Sequence, residues 1–141
     1  MKSIIFLAGP YRSDVGGNDG IYENLYIMRK VAKALMKKDY PVVCPNLTMA
    51  FMDGFLEEIE KILAITTGLV KVCDVVLFTP GWKKSVGCQV EFEKARELGI
   101  PVLEMKCDSN MNFEDSIEFS INELKNLDLT KVNKNDKIVI L

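Results

Sequence analysis

The sequence predicts a single-domain α/β protein: a doubly wound parallel sheet of about five strands with helices on both faces. Short apolar runs alternate with longer segments whose apolar residues recur at helical spacing. The runs are apolar throughout rather than alternating, as strands covered on both faces are. The 141 residues suffice for one core and not comfortably for two.

The first run, Ser3 to Ala8, ends at Gly9-Pro10 and reads as a strand. A polar, glycine-rich loop follows from Tyr11 to Gly20. Then Ile21, Leu25, Met28, Ala32 and Leu35 mark an amphipathic helix to about Lys38. Pro41 to Cys44 is a second strand, and Asn46 to Gly54 a loop. Phe55, Ile59, Ile62 and Leu69 mark the next helix, disturbed near Gly68. Asp74 to Phe78 is a third strand, closed by a turn at Thr79-Pro80-Gly81-Trp82. Ser85 to Leu98 is a helix with Gly99 just past its end, where a left-handed cap is expected. Pro101 to Met105 is a fourth strand and Phe113 to Leu127 a last helix. Lys137 to Leu141 is either an edge strand or a tail. One domain spans residues 1–141.

Composition removes several chemistries. The chain has no histidine, which excludes Ser-His-Asp and Cys-His catalysis and histidine zinc sites. It carries no Walker loop and no G-x-G-x-x-G after the first strand, so no cofactor is expected. No metal site is expected either. The net charge is −2 with no basic stripe, which argues against nucleic-acid polymers. No apolar run reaches membrane-spanning length and the start does not resemble a signal peptide. Cys44, Cys73, Cys88 and Cys107 form no C-x-x-C pair and fit thiols in a reducing cytoplasm.

Parallel sheets of this kind bind ligands at the carboxyl ends of their strands, near the switch in strand order. That directs attention to the loops Gly9–Gly20, Pro45–Gly54 and Thr79–Ser85. On the helix from Ser85, Gln89, Glu93, Lys94, Arg96 and Glu97 share the polar half; Gly87, Cys88, Phe92, Ala95 and Leu98 share the other. Glu91 falls within that second, apolar arc. A carboxylate facing the sheet must be neutralised, hydrogen-bonded or used, unless it snorkels out of a shifted helix. Ser85 is either an ordinary N-cap or, with the backbone amides that follow, a seat for an anion. Gly9-Pro10-Tyr11-Arg12 and Gly16-Gly17 are either turns or a ligand loop in which Arg12 supplies a forked donor.

In order along the chain, Gly9-Pro10-Tyr11-Arg12, Cys44-Pro45-Asn46-Leu47, Cys73-Asp74, Pro80-Gly81-Trp82, Ser85-x-Gly87, Glu91 and Gly99-Ile100-Pro101-Val102 resemble the nucleoside 2-deoxyribosyltransferase-like superfamily. The resemblance covers about residues 4–105 and is most specific from Asp74 to Val102. Residues 108–141 are a helical extension beyond it. Within the superfamily the chain resembles small bacterial and phage members and the 2-deoxynucleoside 5-monophosphate N-hydrolases. The resemblance implies a Rossmann-like or flavodoxin-like sheet and N-glycosidic cleavage or transfer on a nucleoside or its 5′-monophosphate. It implies that Glu91 attacks C1′ of the sugar, as in a retaining glycosidase. Ser85 is implied at the phosphate, with Gly9, Tyr11, Arg12, Gly17, Asn46, Trp82 and Gly87 framing the substrate. It further implies a homodimer or higher homo-oligomer; Phe51, Met52 and Phe55, apolar and near the pocket loops, are either contacts or core.

One departure bears on activity. Family enzymes carry an aspartate where this chain has Thr66, and a hydroxyl is no useful general acid near pH 7. The alternative is therefore a non-catalytic nucleotide-binding protein that keeps the pocket. Thr66 is expected to face inward, across the pocket from Glu91, whereas Asp74 reads as structural.

Overall fold

The computed structural model describes residues 2–12, 18–49, 59–106, 109–132 and 138–141. Its five strands are β1 (Ile5–Ala8), β2 (Val42–Val43), β3 (Val75–Phe78), β4 (Val102–Glu104) and β5 (Val139–Ile140). They form one sheet in the order β2-β1-β3-β4-β5, every neighbouring pair parallel. The doubly wound α/β fold is thus the fold of the protein, and the C-terminal segment is an edge strand rather than a tail. The strand order reverses between β1 and β3, so the crevice at their carboxyl ends is the expected ligand position.

The helices are α1 (Asn18–Met36), α2 (Pro45–Thr48), α3 (Ile59–Gly68), α4 (Val86–Leu98) and α5 (Phe113–Asn126). Strand parity divides the core. Ile5, Leu7, Val75, Leu77 and Leu103 point to the face covered by α1 and α5. Phe6, Ala8, Val76, Phe78 and Val102 point to the opposite face, where they meet Cys88 and Ala95 of α4. Continuous apolar strands are required because both faces are dry. Asp74 joins the frame at the other end of the sheet: its carboxylate accepts the Ile4 amide at 2.7 Å and its own amide donates to Ile4 O at 2.9 Å. That is the structural part expected of it.

Three local expectations are corrected. The loop before α1 is shorter, because the helix already begins at Asn18 and takes in Gly20. The segment after β2 is not all loop. Pro45 presets the helical φ at N1, and α2 closes with Met49 N donating to Pro45 O at 2.8 Å. Leu69, placed on the inward stripe of α3, is 39% exposed while Val70 is buried. The helix tightens at Gly68 into a 3₁₀ turn, Leu69–Val72, and the smaller period shifts the phase of the stripe. Among the described residues no helix is long and apolar enough to cross a membrane.

Candidate functional site

A cavity of about 440 Å³ opens at the carboxyl ends of β1, β2 and β3. The segment after β1 contributes Gly9, Tyr11 and Arg12, and the segment after β2 contributes Pro45, Asn46 and Met49. Helix α3 lends Ile62, Leu63 and Thr66. The remaining wall is the start of α4: Lys84, Ser85, Val86, Gly87, Cys88 and Glu91. The loops are tied together beneath it. Asn46 Nδ2 donates to Gly9 O at 2.8 Å, and Asn24 Nδ2 of α1 donates to Tyr11 O at 3.1 Å.

Glu91 is 7% exposed, so the helical wheel placed it correctly on the buried side. Its Oε2 is buried and accepts no hydrogen bond. Burial without a partner pushes its carboxyl up to about 8, because the charged form loses water and gains nothing in return. The resting group is therefore mostly the neutral acid at pH 7. Two thiols flank it. Burial raises Cys44 to about 11 and Cys88 to about 12, and the nearby Glu91 adds to both, so neither is a ready nucleophile.

The N-terminus of α4 also opens onto the cavity. Ser85 has extended backbone, φ −90° and ψ 122°, and its Oγ accepts the Cys88 amide at 3.3 Å. The N-cap reading of Ser85 is thus realised. The first regular helical bond is Gln89 N to Ser85 O at 3.0 Å, which leaves the preceding amides of Val86 and Gly87 without intrahelical acceptors. No acidic residue lies in this first turn, and Lys84 and Arg12 both line the cavity. Amides, dipole and cations together make this end suited to an anion.

The two lining glycines differ in kind. A Cβ at Gly9 would stand 2.0 Å from Thr79 Oγ1 and 2.8 Å from Met28 Sδ, so packing alone demands glycine there. At Gly87 the nearest atoms would be Leu63 Cδ2 at 3.5 Å and Ser85 Oγ at 3.9 Å, ordinary contacts. Packing tolerates a side chain at 87; glycine keeps the helix amide open to the cavity.

Gly9, Tyr11, Arg12, Asn46, Thr66, Ser85, Gly87 and Glu91 line this one space. Trp82 does not. It is 2% exposed and stacks on Phe78 with ring centroids 4.1 Å apart, in the core beneath α4. Gly81, at φ 85°, turns the chain so that the indole folds back on the strand it follows. Gly17 lies outside the described residues, as do Gly16, Phe51, Met52 and Phe55. Thr66 is 5% exposed as expected, but its hydroxyl donates to Leu63 O at 3.2 Å, back into its own helix.

Sequence reasoning missed Lys84, Ile62, Leu63 and Met49. Lys84 adjoins Ser85, and Ile62 and Leu63 sit one turn before Thr66, so helical spacing from Thr66 would have found them. Met49 lies within the strand-end loop Pro45–Gly54 that the sequence singled out, although no single residue of that loop other than Asn46 was named for the site.

The chain belongs to the family described as a domain of unknown function, DUF4406, which it matches over residues 5–104. That span runs from β1 to β4 and contains every described residue lining the cavity. No curated protein matches the chain.

Proposed function

We propose that this DUF4406 protein binds a nucleoside 5′-monophosphate in the cavity and that Glu91 acts on its N-glycosidic bond. The observation that carries the reading is one helix presenting its amino end and, within its first two turns, a buried carboxyl to one space. Ser85 and Glu91 are six residues apart, ~9 Å along the axis at ~1.5 Å per residue. A sugar phosphate bridges such a span, with its phosphate at the α4 amides and Ser85 and its anomeric carbon toward Glu91. Arg12 and Lys84 supply positive charge at the phosphate end. Apolar Pro45, Met49, Ile62 and Leu63 offer a wall for a flat base. The volume suits a ligand of this class. The resemblance of the motifs to nucleoside 2-deoxyribosyltransferase-like enzymes supports the same substrate.

Binding is tested by calorimetry with matched pairs of nucleoside and monophosphate, and catalysis by chromatography of released base. The monophosphate is expected to bind at least tenfold more tightly. Equal affinities within a pair would refute the phosphate site.

A second reading, a nucleotide-binding protein without chemistry, is favoured by one observation. Among the described lining residues Glu91 is the single carboxyl, and Thr66 stands where a second acid belongs. Binding without base release would establish it. Self-association belongs to either reading. Ile65, Leu69, Val72, Val86 and Val90 are exposed on the neighbouring α3 and α4 segments. A homodimer covering them would give twice the chain mass of 15.9 kDa in light scattering, and a monomer at micromolar concentration would refute it.

A further inference from the structure

Glycosidic cleavage of a nucleotide needs a proton for the departing base, and the described lining holds few sources for it. Thr66 Oγ1 donates to Leu63 O at 3.2 Å and Thr67 Oγ1 to the same carbonyl at 2.5 Å, so both α3 hydroxyls face backbone. The groups around Glu91 can be taken element by element. Cys44 comes from the end of β2, Cys88 from α4 itself, Tyr11 and Arg12 from the segment after β1, and Lys84 from the turn before α4. Helix α3 turns no titratable side chain into the described lining. Both thiols are held neutral far above pH 7 by burial. Among the described lining residues Glu91 is the single carboxyl, buried with an unpartnered oxygen in an apolar setting, which is how a carboxylic acid is kept protonated for use as a donor.

We propose that Glu91 gives its proton to the departing base and then, as carboxylate, takes a proton from the water that captures the sugar. One carboxyl thereby runs the whole acid–base cycle. The Glu91 proton moves to a ring nitrogen or carbonyl oxygen of the base, and the C1′–N bond breaks with its electron pair going to the base. The oxocarbenium ion is met by water, whose oxygen bonds to C1′ while its proton returns to Glu91. Nucleotide and water become free base and sugar phosphate, and the enzyme ends as it began. Cleavage on this route leaves no sugar ester on Glu91. The chain is then a hydrolase, not a transferase. This inference rests on the nucleotide reading above and changes the part played by its central residue.

The experiment uses the full chain with a panel of purine and pyrimidine nucleoside 5′-monophosphates, read above pH 7, where the substrate phosphate is already dianionic. Base release is followed by chromatography from pH 7 to 9.5, with free competing base added in parallel and intact mass recorded during turnover. The expected kcat/KM falls as pH rises through about 8, approaching tenfold per pH unit, since it reports the free enzyme's essential acid. No sugar-phosphate adduct and no base exchange are expected. Glu91→Gln, isosteric with the neutral acid, should keep the thermal shift given by monophosphates and lose release by at least 10²-fold.

A kcat/KM that rises through pH 8, a covalent adduct, or base exchange would overturn the single-acid cycle while leaving the nucleotide reading intact. A thermal shift without base release from any monophosphate would overturn the cycle in favour of the binding protein. Neither shift nor release would sink both.

Discussion

Helices α4 and α5 are built to the same plan and used differently. Each is amphipathic, begins with a capping side chain and buries polar groups on its inner face. Asn112 caps α5 by accepting the Asp115 amide at 2.8 Å, and Ser85 caps α4 by accepting the Cys88 amide at 3.3 Å. The first turn of α5 carries Glu114 and Asp115, which meet the positive end of its own dipole, and Glu114 also pairs with Lys30 of α1. The first turn of α4 carries no acid and follows Lys83 and Lys84. One helix satisfies its N-terminus internally, and the other presents it to a cavity. The buried polar groups follow the same division. Ser116 and Ser120 lie with Ile117, Ile121 and Leu124 on the inner face of α5, whereas Glu91 of α4 borders open space. A buried polar residue thus points to function when a cavity and an unneutralised helix end accompany it. Packed among apolar neighbours, it points only to the core.

The largest effect that tests this contrast is on stability against pH. Glu91 has its carboxyl raised from 4.5 to about 8 by burial. Its contribution to folding is intact below about 4.5, where folded and unfolded chains both hold the proton. It is lost as pH rises to about 8 and above, because the unfolded chain releases the proton first. Denaturant unfolding of wild type and Glu91→Gln from pH 5 to 9 should therefore diverge, the variant gaining on the order of 3–4 kcal/mol. Ser120→Ala on α5 should track wild type at every pH, within about 1 kcal/mol. Parallel curves for wild type and Glu91→Gln would erase the distinction between the two helices.

A smaller effect concerns position 66. Thr66→Asp sets a second carboxyl on the cavity wall and should raise base release by at least about tenfold, within the usual worth of general acid catalysis. An unchanged rate would mean that position 66 has no access to the base.

Next come the caps. Ser85→Ala and Asn112→Ala should each cost about 1 kcal/mol in denaturant unfolding. Ser85→Ala alone should weaken monophosphate binding measured by calorimetry. Equal loss in both variants would show that the α4 terminus has no special part in binding.

The smallest effect on the fold is expected at Gly87. Gly87→Ala should leave stability unchanged or raise it by up to about 1 kcal/mol, while monophosphate affinity falls. Unaltered affinity would move the anion away from the α4 amides.

Most of this was legible in the sequence for definite reasons. The strands were readable because both faces are buried, so Ile5 to Ala8 and Val75 to Phe78 carry no polar interruption. Glu91 was readable because helical periodicity assigns every residue a side and a carboxylate on the apolar side stands out. Position along an element is local information. Whether a turn folds back or out is not, and that is why Trp82 was misplaced. An aromatic after Pro80-Gly81 serves equally as a pocket wall or as a lid on Phe78, and only the left-handed backbone at Gly81 selects the second. The single turn α2 was invisible because four residues leave no period to detect.

The glycine that ends β1 has a consequence for how such a protein can diversify. Gly9 lets Thr79, at the end of β3, lie against the first loop with no side chain between them. The separation of the two central loops is set by the Thr79 side chain resting on the bare Gly9 backbone, with Met28 Sδ packed beside both. The floor of the cavity is therefore closely packed. Variation is confined to the walls lent by α2 and α3, where Met49, Ile62 and Leu63 change size without disturbing the sheet. On the nucleotide reading proposed above, new specificity would accordingly arise at the end of the ligand remote from its phosphate.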